Sequence, residues 1–248
     1  MNAPAQPPLL TVALALYNEK ESLRAAVADI LTAPLPAGWR LELLIIDDGS
    51  TDGSAAIADE LAVGDPRVRI VRHAPNQGLG QVYRTGFDAA RGDWLTFLPA
   101  DGQYRMSEVV RLIQAQREEN LDLVLGLIPA KRHDSKIGRA LSIFERLYIQ
   151  LLFGRTPPFQ GPFLIKTGLL HQMPLFSQGR GWAIVMEMII RADRAGCRWS
   201  NAPTRLSPRQ SGKSKVNNLR VAATLFFQLL QLRWILWVHP TGCIQMDE

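Results

Sequence analysis

The sequence predicts an α/β protein with a mostly parallel sheet, helices on both faces, and a separate amphipathic helix at the C-terminus. Three observations carry that prediction. Short apolar runs alternate regularly with segments of helical spacing up to residue 127. The runs are almost continuously apolar, as strands covered on both faces must be. Polar clusters then recur just after the runs, where such sheets bind their ligands.

In order, "LLTVALA" (9–15) is the first strand and "NEKESLRAAVADIL" (18–31) has helical spacing. "LELLIID" (41–47) is apolar and rich in β-formers, and a helix follows from Ser54 to Ala62. "VRIVRH" (68–73) alternates, 79–90 is helical, and "DWLTFL" (93–98) is again a strand. A helix near 106–118 and the strand "LDLVLGL" (121–127) complete the series. Beyond it, 131–154 reads as a basic start running into a long apolar helix closed by Gly154. A Pro/Gly loop (155–165) leads to a short strand, 182–196 is helical, and 197–206 is extended. The loop "SPRQSGKSK" (207–215) precedes a last helix from about 216 to 238. Its polar residues Asn217, Arg220, Thr224, Gln228, Gln231 and Arg233 mostly fall three or four apart, as one stripe. Too polar to span a bilayer, this helix either lies in a membrane interface, helped by Trp234 and Trp237, or packs on the protein's own core.

The chain has 248 residues, 47% hydrophobic and 21% charged, enough for one large domain. Residues 1–130 hold 11 Lys and Arg against 17 Asp and Glu, whereas 131–248 hold 17 against 6. An acidic half suited to a cation thus precedes a basic half suited to an anion. The division expected is a domain over 1–215, in two halves at 1–130 and 131–215, then an amphipathic helix and tail at 216–248. Cys197 and Cys243 cannot form a disulfide framework. The start "MNAPAQPPLL" lacks the basic and apolar regions of a signal peptide.

Three strand-end clusters carry the chemistry: Tyr17-Asn18-Glu19, Asp47-Asp48-Gly49-Ser50 and Asp101-Gly102-Gln103. Helix capping accounts for Ser50, Thr51 and Asp52, but not for the adjacent carboxylates Asp47 and Asp48, which suit a base or ribose hydroxyls. Asp101 offers a carboxylate and Gln103 an amide oxygen. Mg²⁺ or Mn²⁺ held with substrate phosphates needs only one or two protein carboxylates. "GLGQVYRTG" (78–86) has the wrong spacing and position for a dinucleotide-binding loop. The basic half shows no aromatic platform or helix-turn-helix, so nucleic acid is not the expected partner. The four histidines are scattered and make no zinc site.

Taken in order, "LALYNE" (14–19), "IIDDGSTDGS" (45–54), "NQGLGQVYRTGFDAARGDWLTFLPADGQ" (76–103) and "PRQSGKSKV" (208–216) resemble a family 2 glycosyltransferase of the GT-A fold. The nearest subgroup is that of dolichol-phosphate mannosyltransferase and bacterial polyprenyl-phosphate sugar transferases. The resemblance implies inverting transfer of a sugar from a nucleotide-sugar to a polyprenyl phosphate, at the cytoplasmic face of the membrane. It implies a donor site at Leu16, Tyr17, Asn18, Glu19, Asp47, Asp48, Gly78, Ala100 and Asp101. The family's metal motif falls on Pro99, Asp101 and Gln103, so its first carboxylate is missing. Arg209, Ser214 and Lys215 match the loop that closes over the diphosphate and the acceptor phosphate. With Arg132 and Arg139 they form the expected acceptor cations. Glu187 matches a glutamate beside the acceptor: a positioning group for a phosphate acceptor, a base for a hydroxyl one.

The resemblance thus implies Asp101, Glu187 and Arg209 as catalytic residues, Mg²⁺ or Mn²⁺ as cofactor, and the membrane surface as partner, with a homo-oligomer or an integral-membrane protein as further partners. Two departures touch the acceptor side. Gly126-Leu127-Ile128 replaces a Gly-x-Arg, and "PFQGPFLIK" (158–166) departs from the family's stretch. A sugar-hydroxyl acceptor, or a nucleotide-binding scaffold without turnover, are the alternatives they leave open.

Overall fold

The computed structural model describes residues 7–128, 146–207 and 219–240, with side chains in the last stretch from Phe227 onward. Strands β1 (Leu9–Leu16), β2 (Arg40–Asp47), β3 (Val68–Arg72), β4 (Trp94–Pro99) and β5 (Leu123–Leu127) alternate with helices α1 (Leu23–Thr32), α2 (Ser54–Gly64), α3 (Leu79–Ala89) and α4 (Met106–Glu119). Residues 146–153 are helical. Then come β6 (Phe163–Lys166), α5 (Thr167–Gln172), α6 (Ala183–Arg194), β7 (Trp199–Pro203) and α7 (Leu219–Val238). One seven-stranded sheet runs in the order β3-β2-β1-β4-β6-β5-β7. All neighbours are parallel except β6, which is antiparallel to both β4 and β5.

The strands' period-two geometry divides the core. Leu10, Val12, Leu14 and Leu16 of β1 join Leu43 and Ile45 of β2 under α1, α2 and α4. Ala13, Leu44, Ile46, Leu95 and Phe97 face α3, α5 and α6 on the other side. Both faces are buried, which is why these strands read as unbroken apolar runs. The mostly parallel sheet with helices on both faces is therefore borne out.

Two expectations change in detail. The segment 18–31 begins its helix only at Leu23, because Asn18 takes a left-handed turn (φ 53°) that ends the strand. The long helix read over 131–154 is helical at 146–153, its earlier part lying outside the described residues, as does the 215/216 boundary. In α7, Leu229, Leu232 and Leu236 pack with Phe153, Met186 and Ile190 in a third cluster. The opposite side is apolar too: Phe227, Trp234 and Trp237 are 68%, 61% and 66% exposed. The polar stripe does not divide this helix as the spacing suggests, since Gln228 turns inward against Gly179 and Gly181. Among the described residues no helix is long and apolar enough to cross a membrane.

Candidate functional site

Parallel pairing brings the three polar clusters to one edge. Leu16 pairs with Asp47, Asp47 with Arg72, and Ala15 with Pro99. The ladder runs on one residue past the strands: Asp48 N donates to Leu16 O at 2.9 Å and Ala100 N to Ala15 O at 3.0 Å. Leu16, Asp48, Ala100 and Asp101 are consequently neighbours at the carboxyl rim, all buried. A hollow of about 440 Å³ lined by Leu9, Leu31, Leu35, Trp39, Arg40 and Arg67 lies instead where β1 and β2 begin, away from these carboxylates.

Asp48 is the organiser of this rim. Its Oδ1 takes hydrogen bonds from Gln77 N (2.9 Å) and faces His73 Nδ1 (2.8 Å). Its Oδ2 accepts from Asn76 Nδ2 and Gly78 N, both at 2.8 Å. A carboxylate offers about four acceptor sites, so all are used within the protein. The sequence suggests that Asp48 touches the nucleotide; the geometry gives it the task of fixing the 73–78 loop, and with it Gly78, against β2. Asp47 accepts from Ser50 N at 3.0 Å, its other oxygen 3.9 Å from Arg72 Nε.

The turn after β1 is stitched to the turn after β2. Asn18 N donates to Ser50 Oγ (3.0 Å) and Thr51 N to Asn18 Oδ1 (2.7 Å). Glu19 N donates to Ser54 Oγ (3.1 Å) and Lys20 N to Asp52 Oδ2 (3.0 Å). Ser50, Asp52 and Ser54 thus set loop shape. Between these turns Tyr17 stands exposed at the rim, with Asn18 and Glu19 half-buried.

Asp101 follows β4 and is 6% exposed, its Oδ1 accepting from Gln103 N at 3.0 Å. Burial raises the Tyr104 hydroxyl's pKa, and the Asp101 charge adds to that rise. The second half meets the turn here: Ser207 N donates to Gln103 O at 2.9 Å. The chain is therefore fastened to the Asp101–Gln103 turn two residues ahead of Arg209. Arg209, Ser214 and Lys215, with Arg132 and Arg139, lie outside the described residues.

Pro99 ends β4 without an N–H and brings no carboxylate, leaving Asp101 and Gln103 as the oxygen donors of this turn. Among the described residues no group of three or more His, Cys, Asp and Glu can hold a metal. One carboxylate and one amide suit a Mg²⁺ or Mn²⁺ that arrives chelated by phosphates, since such ions keep water and phosphate ligands. The same pair does not suit a resident all-protein site.

Glu187 requires a correction. It is fully buried, and its carboxylate accepts from Phe176 N (3.1 and 3.0 Å), Ser177 N (2.6 Å) and Arg191 Nε (2.9 Å). Arg191 Nη2 lies 2.8 Å from Oε1 as an ion-pair contact outside hydrogen-bond geometry, and Arg191 is also fully buried. A base needs an accessible lone pair within reach of the proton it takes. Glu187 has none, and holds the 176–177 loop instead. The i,i+4 spacing of Glu187 and Arg191 is the sequence signal that could have marked this ion pair.

The profile of Glycosyl transferase family 2 matches residues 11–178, more than half of the sequence. The chain belongs to that family. In this family 2 chain the matched stretch contains Asp47, Asp48, Asp101 and Gln103, and stops short of Glu187. It is 27% identical over 234 residues to polyprenol monophosphomannose synthase of Mycolicibacterium smegmatis, covering 87% of this chain and 83% of that protein. It is 29% identical over 213 residues to undecaprenyl-phosphate mannosyltransferase of Micrococcus luteus, covering 81% and 84%.

Among solved structures, glucosyl-3-phosphoglycerate synthase of Mycobacterium tuberculosis bound to phosphoglyceric acid superposes with a TM-score of 0.67 at 21% identity, covering 92% of this chain and 80% of that one. Its complex with Mn²⁺, uridine diphosphate and glucosyl-3-phosphoglycerate gives 0.63 at 23%, covering 90% and 80%. These neighbours share the fold, and the GT-A architecture implied by the motifs is borne out.

The site also contains Arg180, a residue that no motif marked. Asn76 bridges Asp48 to Arg180, and Arg180 sits between two glycines in "QGRGW" (178–182), a spacing that signals close backbone approach.

Proposed function

We propose that this chain is an inverting, divalent-cation-dependent glycosyltransferase that moves a sugar from a nucleotide-diphospho-sugar to a polyprenyl phosphate at the cytoplasmic membrane face. One observation carries the reading: the Ser207 N to Gln103 O bond fastens the chain, one residue ahead of the basic 208–216 sequence, to the turn that bears Asp101. Donor and acceptor chemistry then meet at one turn.

The donor's nucleoside sits over the paired turns after β1 and β2, and its diphosphate reaches Asp101. Asp101 and Gln103 would hold the cation, which when bound would supply charge neutralisation for the departing diphosphate. The acceptor phosphate is already anionic near neutral pH, its second pKa being about 6. One of its oxygens bonds to C1 of the sugar while the bond from C1 to the diphosphate oxygen breaks, and that electron pair leaves on the diphosphate. No side chain has to remove a proton, which agrees with a Glu187 committed to Arg191 and two backbone amides. Arg132, Arg139, Arg209 and Lys215 are assigned to hold the two anions together.

The exposed apolar side of α7 supports the membrane placement. Phe227, Trp234 and Trp237 of α7 and Leu147 and Leu151 of the 146–153 helix are exposed, the two helices meet in the third cluster through Leu229, Leu232, Leu236 and Phe153, and neither 146–157 nor 219–240 contains an acidic residue. The test incubates the full chain with labelled UDP- and GDP-sugars, Mg²⁺ or Mn²⁺, and a short-chain prenyl phosphate. A labelled prenyl-phosphate sugar is the expected product. Donor binding without such a product, but with transfer to a sugar hydroxyl, would overturn the acceptor assignment.

A further inference from the structure

We propose that Arg180 is a further donor-site residue, supplying a guanidinium to the diphosphate of the nucleotide-sugar. This rests on the transferase reading above. Arg180 is exposed and lies on the loop before α6, far in sequence from every motif of the donor site. Its guanidinium nonetheless reaches the loop that Asp48 organises. Nη1 donates to Asn76 O at 3.4 Å and Nη2 to Asn76 Oδ1, while Asn76 Nδ2 donates to Asp48 Oδ2.

The arrangement is held from below by close packing. Gly78 has φ 90°, and a Cβ there would lie 2.7 Å from Arg180 Cβ. Gly80 N donates to Arg180 O at 3.3 Å. The loop is fastened at its start by Glu187, which accepts from Phe176 N and Ser177 N, and at its other side by Gln228 of α7 against Gly179 and Gly181. Arg180 is thus a surface cation on a braced backbone.

Two facts argue that this cation serves a ligand. Arg180 makes no ion pair among the described residues, and its neighbour Asp48 is already saturated by four donors, so it is not the counter-ion of that carboxylate. Arg72, a nearby cation of the rim, is by contrast committed to Asp59 and Asp47. Arginine has five N–H donors in a planar fork, and the two bonds to Asn76 leave three without a protein acceptor among the described residues. Phosphate oxygens match that fork.

The side of the sheet selects the donor. Arg180 rests at Gly78 and Asn76, beside the end of β2, whereas the second half's exits follow β5 and β7 beyond β4. A group at Gly78 faces a nucleotide lying from β2 to β4, and not an acceptor arriving over β5 and β7.

The test measures, by calorimetry with Mg²⁺ present, the affinity of wild type, Arg180→Ala and Arg180→Lys for UDP and GDP, for uridine and guanosine, and for a short prenyl monophosphate. Arg180→Ala is expected to weaken the diphosphate that wild type binds by roughly tenfold to a hundredfold. Its matching nucleoside and the prenyl monophosphate should change less than about twofold, and Arg180→Lys should recover part of the loss. An unchanged diphosphate affinity, an equal loss for the nucleoside, or a loss confined to the prenyl monophosphate would overturn the assignment while leaving the transferase reading intact. A wild-type chain that binds no nucleoside diphosphate would overturn both.

Discussion

Glu187→Ala separates a structural glutamate from a catalytic one. The substitution removes the acceptor of Phe176 N and Ser177 N and strands the Arg191 guanidinium, which has no exposed surface. Arg191 Nη1 still donates to His239 O at 3.0 Å, and the Phe176 ring lies 5.5 Å from its Cζ, but neither carries negative charge. Breaking a buried pair from one side costs about 3–5 kcal/mol, most of it the uncompensated charge. For a chain of this length that lowers Tm by roughly 6–20 °C. Differential scanning calorimetry reads the loss directly. The double variant Glu187→Leu with Arg191→Met removes both charges and should regain more than half of it. The amides of Phe176 and Ser177 remain without their acceptor, so recovery stays incomplete. A Glu187→Ala chain whose Tm stays within 2 °C of wild type but which has lost turnover would refute this reasoning and restore Glu187 as the base.

Two further outcomes follow from the structure. Asp122 ties β5 to its neighbours: burial raises its pKa, but hydrogen bonds from Arg198 and Lys166 outweigh that and hold it at about 2 against an ordinary 3.8. A depressed carboxylate stabilises fully above its unfolded pKa and loses that contribution as pH falls through the folded value, so the urea midpoint should drop between pH 4 and 2 in wild type and drop less in Asp122→Asn. On α7, Trp234→Ser with Trp237→Ser alters side chains 61% and 66% exposed; Tm should move by less than about 3 °C while sedimentation with anionic vesicles falls severalfold, and undiminished vesicle binding would end the docking role.

The first half was legible because its signals are local. Unbroken apolar runs, turn residues and the Asp47-Asp48 pair each report on a few neighbouring residues, and parallel pairing converts them into one rim. β6 was harder. Its four residues, Phe163–Lys166, lie antiparallel between β4 and β5, a placement set by partners about 40 and 70 residues earlier in the chain. Asp48 was recognised as a site residue, yet its hydrogen bonds go to the 73–78 loop, which spacing does not reveal. Gln228 fell on a regular polar stripe, but its side chain is drawn inward by two glycines on a different element. Arg180 stayed silent for the same reason: its partner Asn76 is 104 residues away.

The most direct measurement of the central claim is the cation dependence of nucleotide binding at Asp101. Calorimetric titration of the full chain with UDP and GDP, each with Mn²⁺ and with chelator, should show one diphosphate binding at least tenfold more tightly with the cation, and Asp101→Ala should abolish that difference. Binding that is equally tight with chelator, or a cation effect undiminished in Asp101→Ala, would contradict the account.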